Sequence, residues 1–88
     1  MLIEILGSGC PKCLETERRA RQAVKLAGIE AEVAHVTDVR TIAERGVLAT
    51  PAVAIDGAVK LSGTLPSVPE LVTLFINHLA TAEPAATD

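Results

Sequence analysis

The chain has only two cysteines, and both lie in one short motif, Cys10-Pro11-Lys12-Cys13. The motif follows an apolar run from Leu2 to Leu6 and stands where a helical pattern begins. A C-x-x-C pair in this position indicates either a redox-active dithiol or half of a metal site. A structural disulfide is a poor alternative, because so short a loop restrains little of the unfolded chain's entropy. Two inert, buried thiols would leave the pairing at a helix start unexplained.

Length and charge limit the classes of protein to which this chain can belong. Its 88 residues form one domain, because so short a chain cannot divide its apolar surface between two cores. We expect that domain to span residues 1–79, followed by a small, polar tail at residues 80–88 that frays. Phe75 is the only aromatic residue and the net charge is −3. Base stacking needs aromatic platforms and phosphate binding needs cations, so we expect no nucleic-acid partner.

No part of the sequence resembles a targeting or membrane-spanning segment. The run from Leu2 to Leu6 lacks a preceding basic region and is shorter than the apolar core of a signal peptide. No apolar run approaches the ~18 residues that a membrane helix needs. We therefore expect a cytoplasmic protein with no membrane partner. In a reducing compartment, two close cysteines more often serve catalysis or metal binding than structure.

Apolar periodicity and turn signals predict seven elements in the order β-α-β-α-β-β-α. The expected strands are 2–6, 30–36, 51–55 and 58–61. The expected helices begin at Cys10 or Pro11, after an N-cap at Thr37 or Asp38, and at the Ser67–Glu70 capping box. Asp56-Gly57 is a two-residue hairpin signal between the last two strands. The pattern predicts an α/β fold in which helices flank one four-stranded mixed sheet.

This order of elements, with Cys10-Pro11-Lys12-Cys13 at the first strand–helix junction and Thr50-Pro51 just before the third strand, resembles the thioredoxin fold in its smallest form. The chain is similar to the small thioredoxin/glutaredoxin-like proteins that carry a redox-active disulfide. The resemblance covers residues 2 to about 79. Its matching segments are Gly7 to Cys13, Ala23 to Ile29, Gly46 to Val53 and Ile55 to Gly57.

The resemblance implies an enzyme, a dithiol–disulfide oxidoreductase that reduces or exchanges disulfides of proteins or small molecules through Cys10 and Cys13. It implies no cofactor besides the redox-active disulfide between these two cysteines. The expected partners are a disulfide-containing protein substrate and a thiol reductase or a low-molecular-weight thiol. We expect a monomer, although the edge of the predicted strand 30–36 could pair between chains.

Cys10 is the expected nucleophile because it falls at the N-cap of the first helix. Unsatisfied N–H groups and the positive end of the helix dipole stabilise a thiolate there, and Lys12 adds a nearby cation. Both effects lower the pKa of Cys10 below the ~8.5 of a free cysteine. Pro11 suits the first helical turn, where its missing N–H is not needed. Cys13, one turn inside the helix and less exposed, is expected to resolve the mixed disulfide.

Thr50-Pro51 and Glu4 are the expected auxiliary residues of the site. The resemblance implies a cis Thr50–Pro51 peptide that faces the dithiol and leaves the Thr50 backbone free to pair with an extended substrate. The alternative is a proline that merely opens the third strand. Glu4 lies six residues before Cys10, where thioredoxins carry a buried acid that exchanges protons with the second cysteine. A carboxylate buried there has a raised pKa, whereas the alternative is a carboxylate that faces a wet gap at the end of the sheet.

The sequence also departs from better-known members of the family. No tryptophan precedes the motif, and Pro11-Lys12 replaces the Gly-Pro pair that is usual in thioredoxins. The segment Ser62 to Leu65 stands where glutaredoxins hold glutathione with a Gly-Gly and acidic segment. The fold and the dithiol chemistry therefore carry over, whereas the physiological reductant and a glutathione site do not.

Three other functions compete with the oxidoreductase. A carrier of a soft metal such as Cu(I) would use the two thiolates, but such carriers have the order β-α-β-β-α-β, without a second helix before the hairpin. A binding module could carry the same dithiol as a passive redox sensor. A zinc site that includes His35 and His78 is disfavoured, because neither spacing is that of a zinc finger. We expect His35 on an exposed strand, His78 at a helix end, and no metal.

Overall fold

The protein is built around one four-stranded sheet. The computed structural model describes residues 1–87, and the side chains of residues 1–80. The strands are β1 (Leu2–Leu6), β2 (Glu32–Val36), β3 (Ala52–Ile55) and β4 (Ala58–Ser62). The helices are α1 (Pro11–Ala27), α2 (Val39–Glu44) and α3 (Val68–Thr87). The predicted order β-α-β-α-β-β-α and the predicted fold class are therefore confirmed.

Strand β1 lies inside the sheet and leads directly to the cysteine motif. The strand order is β2-β1-β3-β4. Strand β1 is parallel to β2, to which α1 connects it, and antiparallel to β3. Strands β3 and β4 form an antiparallel hairpin, whose turn residues Asp56 and Gly57 have φ values of 50° and 90°. Positive φ at both central positions is what the Asp-Gly signal predicts for a tight hairpin turn.

Helices cover both faces of the sheet, and alternation along β1 decides which side chain meets which helix. Ile3 and Ile5 point to the face covered by α1 and α3, whereas Leu6 points to the face covered by α2. The larger core cluster comprises Ile3, Ile5, Ala20, Ala23, Val53, Ile55, Leu71 and Phe75. The smaller one comprises Leu6, Ile42, Val47, Ala52 and Ala54. Apolar layers on both sides hold β1 and thereby fix the point at which the chain enters the motif.

The buried face of α1 differs from the predicted one near the motif. Helical spacing predicts Leu14 on the apolar face, but this side chain is 55% exposed. Adjacent helix residues point about 100° apart, so a helix that buries Cys13 exposes Leu14. Thr16 tolerates burial because its Oγ1 donates to the Lys12 carbonyl at 2.7 Å. The buried residues of α1 are Cys13, Thr16, Ala20 and Ala23.

Helix α3 begins with the predicted capping box and runs beyond the predicted end of the domain. The Glu70 N–H donates to Ser67 Oγ at 3.3 Å, and the Ser67 N–H donates to Glu70 Oε1 at 3.1 Å. The helical backbone continues to Thr87, through the segment for which the sequence predicts a frayed tail, and Asp88 lies outside the described residues. The domain limit at residue 79 and the mobility of the tail stay predictions. Within residues 1–87, no helix has both the length and the apolarity to cross a membrane.

Candidate functional site

Cys10 is the residue that caps helix α1. Its backbone is extended, with φ of −65° and ψ of 161°, and its Sγ accepts a hydrogen bond from the Cys13 N–H at 3.3 Å. Pro11 occupies the first turn of the helix, where a missing N–H leaves no hydrogen bond unmade. An otherwise unpaired N–H of the first turn is thus aimed at the Cys10 sulfur. The predicted placement of Cys10 at the N-cap is confirmed.

The two cysteines form a contacting pair of free thiols. Their Sγ atoms lie 2.6 Å apart. Cys10 is partly exposed, whereas Cys13 is fully buried. A disulfide of another molecule can therefore reach the Cys10 sulfur, while the Cys13 sulfur is covered and faces Cys10.

Hydrogen bonding and burial shift the pKa values of the two thiols in opposite directions. The Cys13 thiol, and then the Cys13 N–H, stabilise a Cys10 thiolate and lower the pKa of Cys10. Burial, followed by the hydrogen bond to Cys10, raises the pKa of Cys13. The thiolate therefore forms on the exposed sulfur and the proton stays on the buried one. Lys12 adds to the lowering of the Cys10 pKa through its backbone N–H, while its side chain is exposed.

Gly7 lies directly behind the Cys13 sulfur. A β-carbon at Gly7 would overlap Cys13 Sγ and would lie 3.0 Å from Cys13 Cβ, so a larger residue does not fit unless the cysteine moves. The Gly7 N–H donates to the Val36 carbonyl at 2.9 Å, which extends the pairing of β1 with β2 by one residue. The peptide that supports the dithiol is thus held by the sheet rather than by a free loop.

His35 connects Gly7 to helix α1. Its Nε2 lies 3.0 Å from the Gly7 carbonyl oxygen, and its Nδ1 lies 2.9 Å from Glu17 Oε1. The side chains of His35 and Glu17 are only 14% and 22% exposed. The sequence predicts His35 on an exposed strand; β2 is indeed an edge strand, but this side chain turns toward α1, and the contacts with Glu17 and Gly7 cover it.

The two histidines lie at opposite ends of the sheet. His78 lies within α3, and its Nε2 is 3.0 Å from Asp56 Oδ2 at the turn between β3 and β4. That turn is at the start of β1, far from the motif, because Asp56 Oδ1 accepts from the Leu2 N–H at 2.8 Å. Among the residues with described side chains, no group of three or more His, Cys, Asp or Glu could hold a metal ion.

The loop before β3 borders the same site as the dithiol. The Thr50–Pro51 peptide bond is cis, as the resemblance implies. Pro51 is buried and its carbonyl accepts from the Gly63 N–H at 2.9 Å, whereas Thr50 is exposed. Thr50 Cβ lies 3.8 Å from the position that a β-carbon on Gly7 would take. Leu48, two residues before Thr50, is fully exposed and adds an apolar side chain to this loop.

Glu4 is hydrogen-bonded to a cation. Its Oε1 accepts from Arg45 Nη2 at 2.6 Å, and its side chain is 15% exposed. Glu4 alternates with Ile3 and Ile5 along β1, so it lies on the face covered by α2, the helix that Arg45 ends. The carboxylate is therefore largely covered and paired with Arg45, a partner that the sequence does not predict. A proton exchange between Glu4 and Cys13 stays a prediction.

Three residues lie around the dithiol although the sequence patterns assign them no role there. Gly7 is a glycine directly after a buried strand, and such a glycine signals a close approach of the backbone to another group. His35 stands two residues after Val33, so the period of a strand places both on one face, and Val33 packs on the larger core. These two signals mark Gly7 as a point of close approach and place His35 on the covered face of β2, but neither identifies the contact between the two residues. Leu48 carries no signal of its own, since an apolar residue in a loop is common.

Comparison with known proteins gives a consistent result. Residues 1–76 match a family model described as "Thioredoxin domain". Two relatives, each named thioredoxin, come from Methanocaldococcus jannaschii and Methanothermobacter thermautotrophicus. The first is 46% identical over 71 residues, which cover 81% of this chain and 81% of the relative. The second is 41% identical over 71 residues, which cover 81% of this chain and 92% of the relative.

Proposed function

The chain belongs to the thioredoxin family and is a dithiol–disulfide oxidoreductase, and we propose that its reaction uses Cys10 as the nucleophile and Cys13 as the resolving thiol. The observation that carries this assignment is the difference between the two sulfurs. Cys10 is accessible and has a lowered pKa, whereas Cys13 is buried and has a raised pKa. Because a thiolate is the attacking species in disulfide exchange, the accessible and more acidic thiol attacks first.

The proposed reaction consists of two exchanges. The Cys10 thiolate attacks one sulfur of the substrate disulfide, a mixed disulfide forms, and the other substrate sulfur leaves as a thiolate. Cys13 then loses its proton and attacks the sulfur of Cys10, its neighbour in the dithiol. The second substrate thiolate leaves, and a disulfide between Cys10 and Cys13 remains. The substrate gains two electrons and two protons, and the protein loses them.

A redox titration tests the dithiol directly. The wild-type protein is equilibrated in dithiothreitol and glutathione buffers, and its thiols are alkylated and counted by mass spectrometry. A two-electron transition between roughly −180 and −300 mV would place the pair among working dithiol oxidoreductases. If no disulfide formed across that range, the proposed reaction would be wrong.

Two serine variants assign the separate roles of the cysteines. Cys10→Ser is expected to abolish disulfide reduction, and activity in this variant would move the nucleophile to Cys13. Cys13→Ser keeps the nucleophile and is expected to accumulate mixed disulfides with substrate, which are visible on non-reducing gels. A Cys13→Ser protein that trapped none would contradict the second exchange.

We assign substrate docking to the loop from Leu48 to Pro51. The loop borders Gly7 and exposes Thr50 together with the apolar side chain of Leu48. An extended segment of a protein substrate would pair its backbone with Thr50 and rest apolar side chains on Leu48. Leu48→Ser is therefore expected to slow reduction of a protein disulfide while sparing that of a small disulfide. Equal rates with wild type on both substrates would remove Leu48 from the docking surface.

Lys12, Pro11 and Glu4 have auxiliary roles in this proposal. Pro11 fixes the first turn of α1, and the ammonium of Lys12 adds positive charge beside the Cys10 thiolate. Glu4→Gln is expected to slow the second exchange, which needs Cys13 deprotonated. The matched control is Arg45→Gln, which breaks the same ion pair and leaves the carboxylate. If both variants slowed the exchange equally, the role of Glu4 would be structural.

A Cu(I) carrier is the alternative interpretation of the same sulfurs. Two adjacent thiols are a soft ligand pair that suits Cu(I). Titration of the reduced protein with Cu(I) against a competing chelator separates the two functions. Tight binding in a protein without a redox transition would favour the carrier. A redox transition, with Cu(I) bound no more tightly than by a linear C-x-x-C peptide, would favour the oxidoreductase.

We also propose that the protein works as a cytoplasmic monomer. Its family accounts for disulfide substrates and for a thiol-reducing partner. Strand β2 is an edge of the sheet and is the place at which a second copy could add a strand. Light scattering on the reduced and oxidised protein tests the oligomeric state, and a stable dimer would contradict the monomer.

A further inference from the structure

One histidine ring joins three segments at the dithiol end of the sheet. Gly7 follows β1 and leads to the motif, Glu17 belongs to α1 and His35 belongs to β2. His35 Nε2 is 3.0 Å from the Gly7 carbonyl oxygen, and Nδ1 is 2.9 Å from Glu17 Oε1. The ring is largely covered, since only 14% of the side chain is exposed. A side chain with both nitrogens engaged at this depth holds its neighbours in a fixed arrangement.

Both ring nitrogens of His35 face an oxygen atom in this arrangement. A carbonyl oxygen has no proton to give, so Nε2 is the donor to Gly7, while Nδ1 contacts the Glu17 carboxylate. Arg21, whose Nη2 lies 2.9 Å from Glu17 Oε2, is the first cause of the lowered pKa of Glu17, and His35 is a further one. Glu17 is thus an ionised acceptor that lies between Arg21 and His35.

Gly7 transmits the position of His35 to the cysteines. The α-carbon of Gly7 packs so closely on Cys13 that a β-carbon would overlap Cys13 Sγ. Cys13 in turn supplies the two hydrogen bonds that contribute most to lowering the pKa of Cys10. A displacement of the Gly7 peptide would open space behind Cys13 and loosen its hydrogen bond to the Cys10 sulfur.

We propose that His35 is a positioning residue for the dithiol: together with Glu17 it clamps the Gly7 peptide to helix α1 and so holds Cys13 against Cys10. The inference rests on the proposed roles of the two cysteines and extends them to a residue outside the motif. The clamp is needed because the chain between Gly7 and Cys10 passes through Gly9. That residue has a φ of +94°, and a β-carbon there would have no atom within 4 Å, so the backbone itself provides little restraint.

The test compares His35→Leu with a matched variant at the other end of the sheet. His78→Leu also removes a histidine–carboxylate contact. The distance from His78 to Asp56 is 3.0 Å, and the distance from His35 to Glu17 is 2.9 Å. The two histidine side chains are almost equally exposed, at 16% and 14%. Both variants are therefore expected to lower the midpoint of urea unfolding. Only His35→Leu is expected to change the dithiol.

Two readouts report on the dithiol itself. In the ultraviolet absorbance of the thiolate, the ionisation of Cys10 is expected to move to higher pH in His35→Leu, because the stabilising hydrogen bond from Cys13 loosens. In glutathione buffers, the equilibrium constant for forming the disulfide is expected to rise about threefold or more, because the reduced protein loses a stabilised thiolate. Neither quantity is expected to change in His78→Leu.

Two further variants keep the clamp testable. His35→Gln retains an N–H donor that can reach the Gly7 carbonyl, so it is expected to recover most of the shift. If His35→Leu does not fold, Glu17→Ala can be used instead, because it removes the contact between α1 and His35. It is expected to shift both readouts in the direction expected for His35→Leu.

The clamp would be overturned by unchanged readouts in a folded His35→Leu or Glu17→Ala protein, or by equal shifts in His78→Leu. A shift in His35→Gln as large as that in His35→Leu would also overturn it. The redox transition of the wild-type protein tests the proposed reaction separately, so failure of the reaction and failure of the clamp are distinguishable.

Discussion

At each end of the sheet a histidine pairs with a carboxylate, yet the two pairs support different structures. At the dithiol end, His35 joins Glu17 to the carbonyl of Gly7. At the turn end, His78 joins Asp56, whose other oxygen accepts an N–H at the start of β1. The two histidine–carboxylate contacts have similar lengths, and the two histidines are similarly exposed. The difference between the two ends therefore lies in what each pair contacts next. Gly7 packs on a reactive sulfur, whereas Asp56 closes a hairpin.

The glycines at the two ends show the same contrast. Gly57 needs its positive φ of 90°, but a β-carbon on it would meet nothing within 4 Å. Gly7 does not have a positive φ, but a β-carbon on it would overlap Cys13 Sγ. At the turn end, Gly57 is needed because the backbone has a positive φ. At the dithiol end, Gly7 is needed because the side chain of Cys13 occupies the space of a β-carbon. The dithiol end is therefore distinguished by the backbone of Gly7, which packs directly against the sulfur of Cys13.

Gly7→Ala should have the largest effect on the reactive end. The added methyl group overlaps Cys13 Sγ, so either the cysteine or the segment before the motif has to move. Overpacking of this kind destabilises a protein by roughly 1–3 kcal/mol. A small displacement of reacting groups can slow a reaction by about 100-fold. We therefore expect most of the disulfide-reduction activity to be lost, as measured on a protein disulfide at saturating reductant.

Gly57→Ala is the matched control at the turn end. Alanine at a φ of 90° is strained by roughly 1–3 kcal/mol, so this variant should lose a comparable free energy of unfolding. Its rate of disulfide reduction, corrected for the folded fraction, should equal that of wild type. Equal losses of rate in the two alanine variants would mean that stability explains both, and the contrast between the ends would disappear.

Local signals explain why the elements were predictable from sequence. Pro11 at a helix start, the Asp56-Gly57 turn and the Ser67–Glu70 capping box each act within a few residues of chain. Helix α1, the hairpin and α3 therefore begin or turn where those signals stand. The Cys10 N-cap belongs to the same class, because it depends only on the first turn of α1.

The surroundings of the dithiol depend on contacts that no local signal encodes. His35 reaches Gly7 because parallel pairing sets it beside Ile5 in the neighbouring strand, and this register is a property of the whole sheet. Glu4 shows the same limit. Its spacing from Cys10 is visible in the sequence, but its partner Arg45 is 41 residues away and is placed by the packing of α2.

At the dithiol end, a substitution of Cys13 should change the pKa of Cys10, with a smaller effect on reactivity than that of Gly7→Ala. The Cys13 thiol and the Cys13 N–H are the first two causes of its lowered pKa. Cys13→Ala removes the first and keeps the second, so the pKa of Cys10 should rise toward its ordinary value without reaching it. At pH 7, alkylation of Cys10 by iodoacetamide should slow by about threefold or more, because a smaller fraction is thiolate.

Cys13→Ser is the control for this experiment, because its hydroxyl can still donate to the Cys10 sulfur. The alkylation rate of the serine variant should lie between those of wild type and Cys13→Ala. A Cys13→Ala protein that reacted as fast as wild type would show that the helix start alone sets the acidity of Cys10. The packing of Gly7 against Cys13 would then have no effect on the pKa of Cys10, and the proposed difference between the two ends would be lost.

The smallest expected effect lies at the turn end and depends on pH. The Leu2 N–H, followed by His78, lowers the pKa of Asp56 below its ordinary 3.8. A carboxylate with a depressed pKa in the folded state contributes stability above its unfolded pKa, and this stability is lost as the pH falls through the folded pKa. Asp56→Asn keeps an oxygen for the Leu2 N–H but loses the charge. At pH 7 it should lower the free energy of unfolding by at most about 1 kcal/mol, since the Asp56 side chain is 48% exposed.

Urea unfolding of Asp56→Asn and wild type, at pH 7 and at about pH 3, tests this expectation. The difference in the free energy of unfolding should shrink at the lower pH, because Asp56 of the unfolded chain is protonated below its ordinary pKa of 3.8 and the stabilising effect of the carboxylate is lost progressively as the pH falls toward the lowered pKa of the folded protein. A difference that persisted there would mean that the substitution acts through the geometry of the turn. The equilibrium with glutathione should be the same for both proteins at pH 7. If it changed, the turn end would be coupled to the dithiol, and His78 could no longer serve as the control for His35.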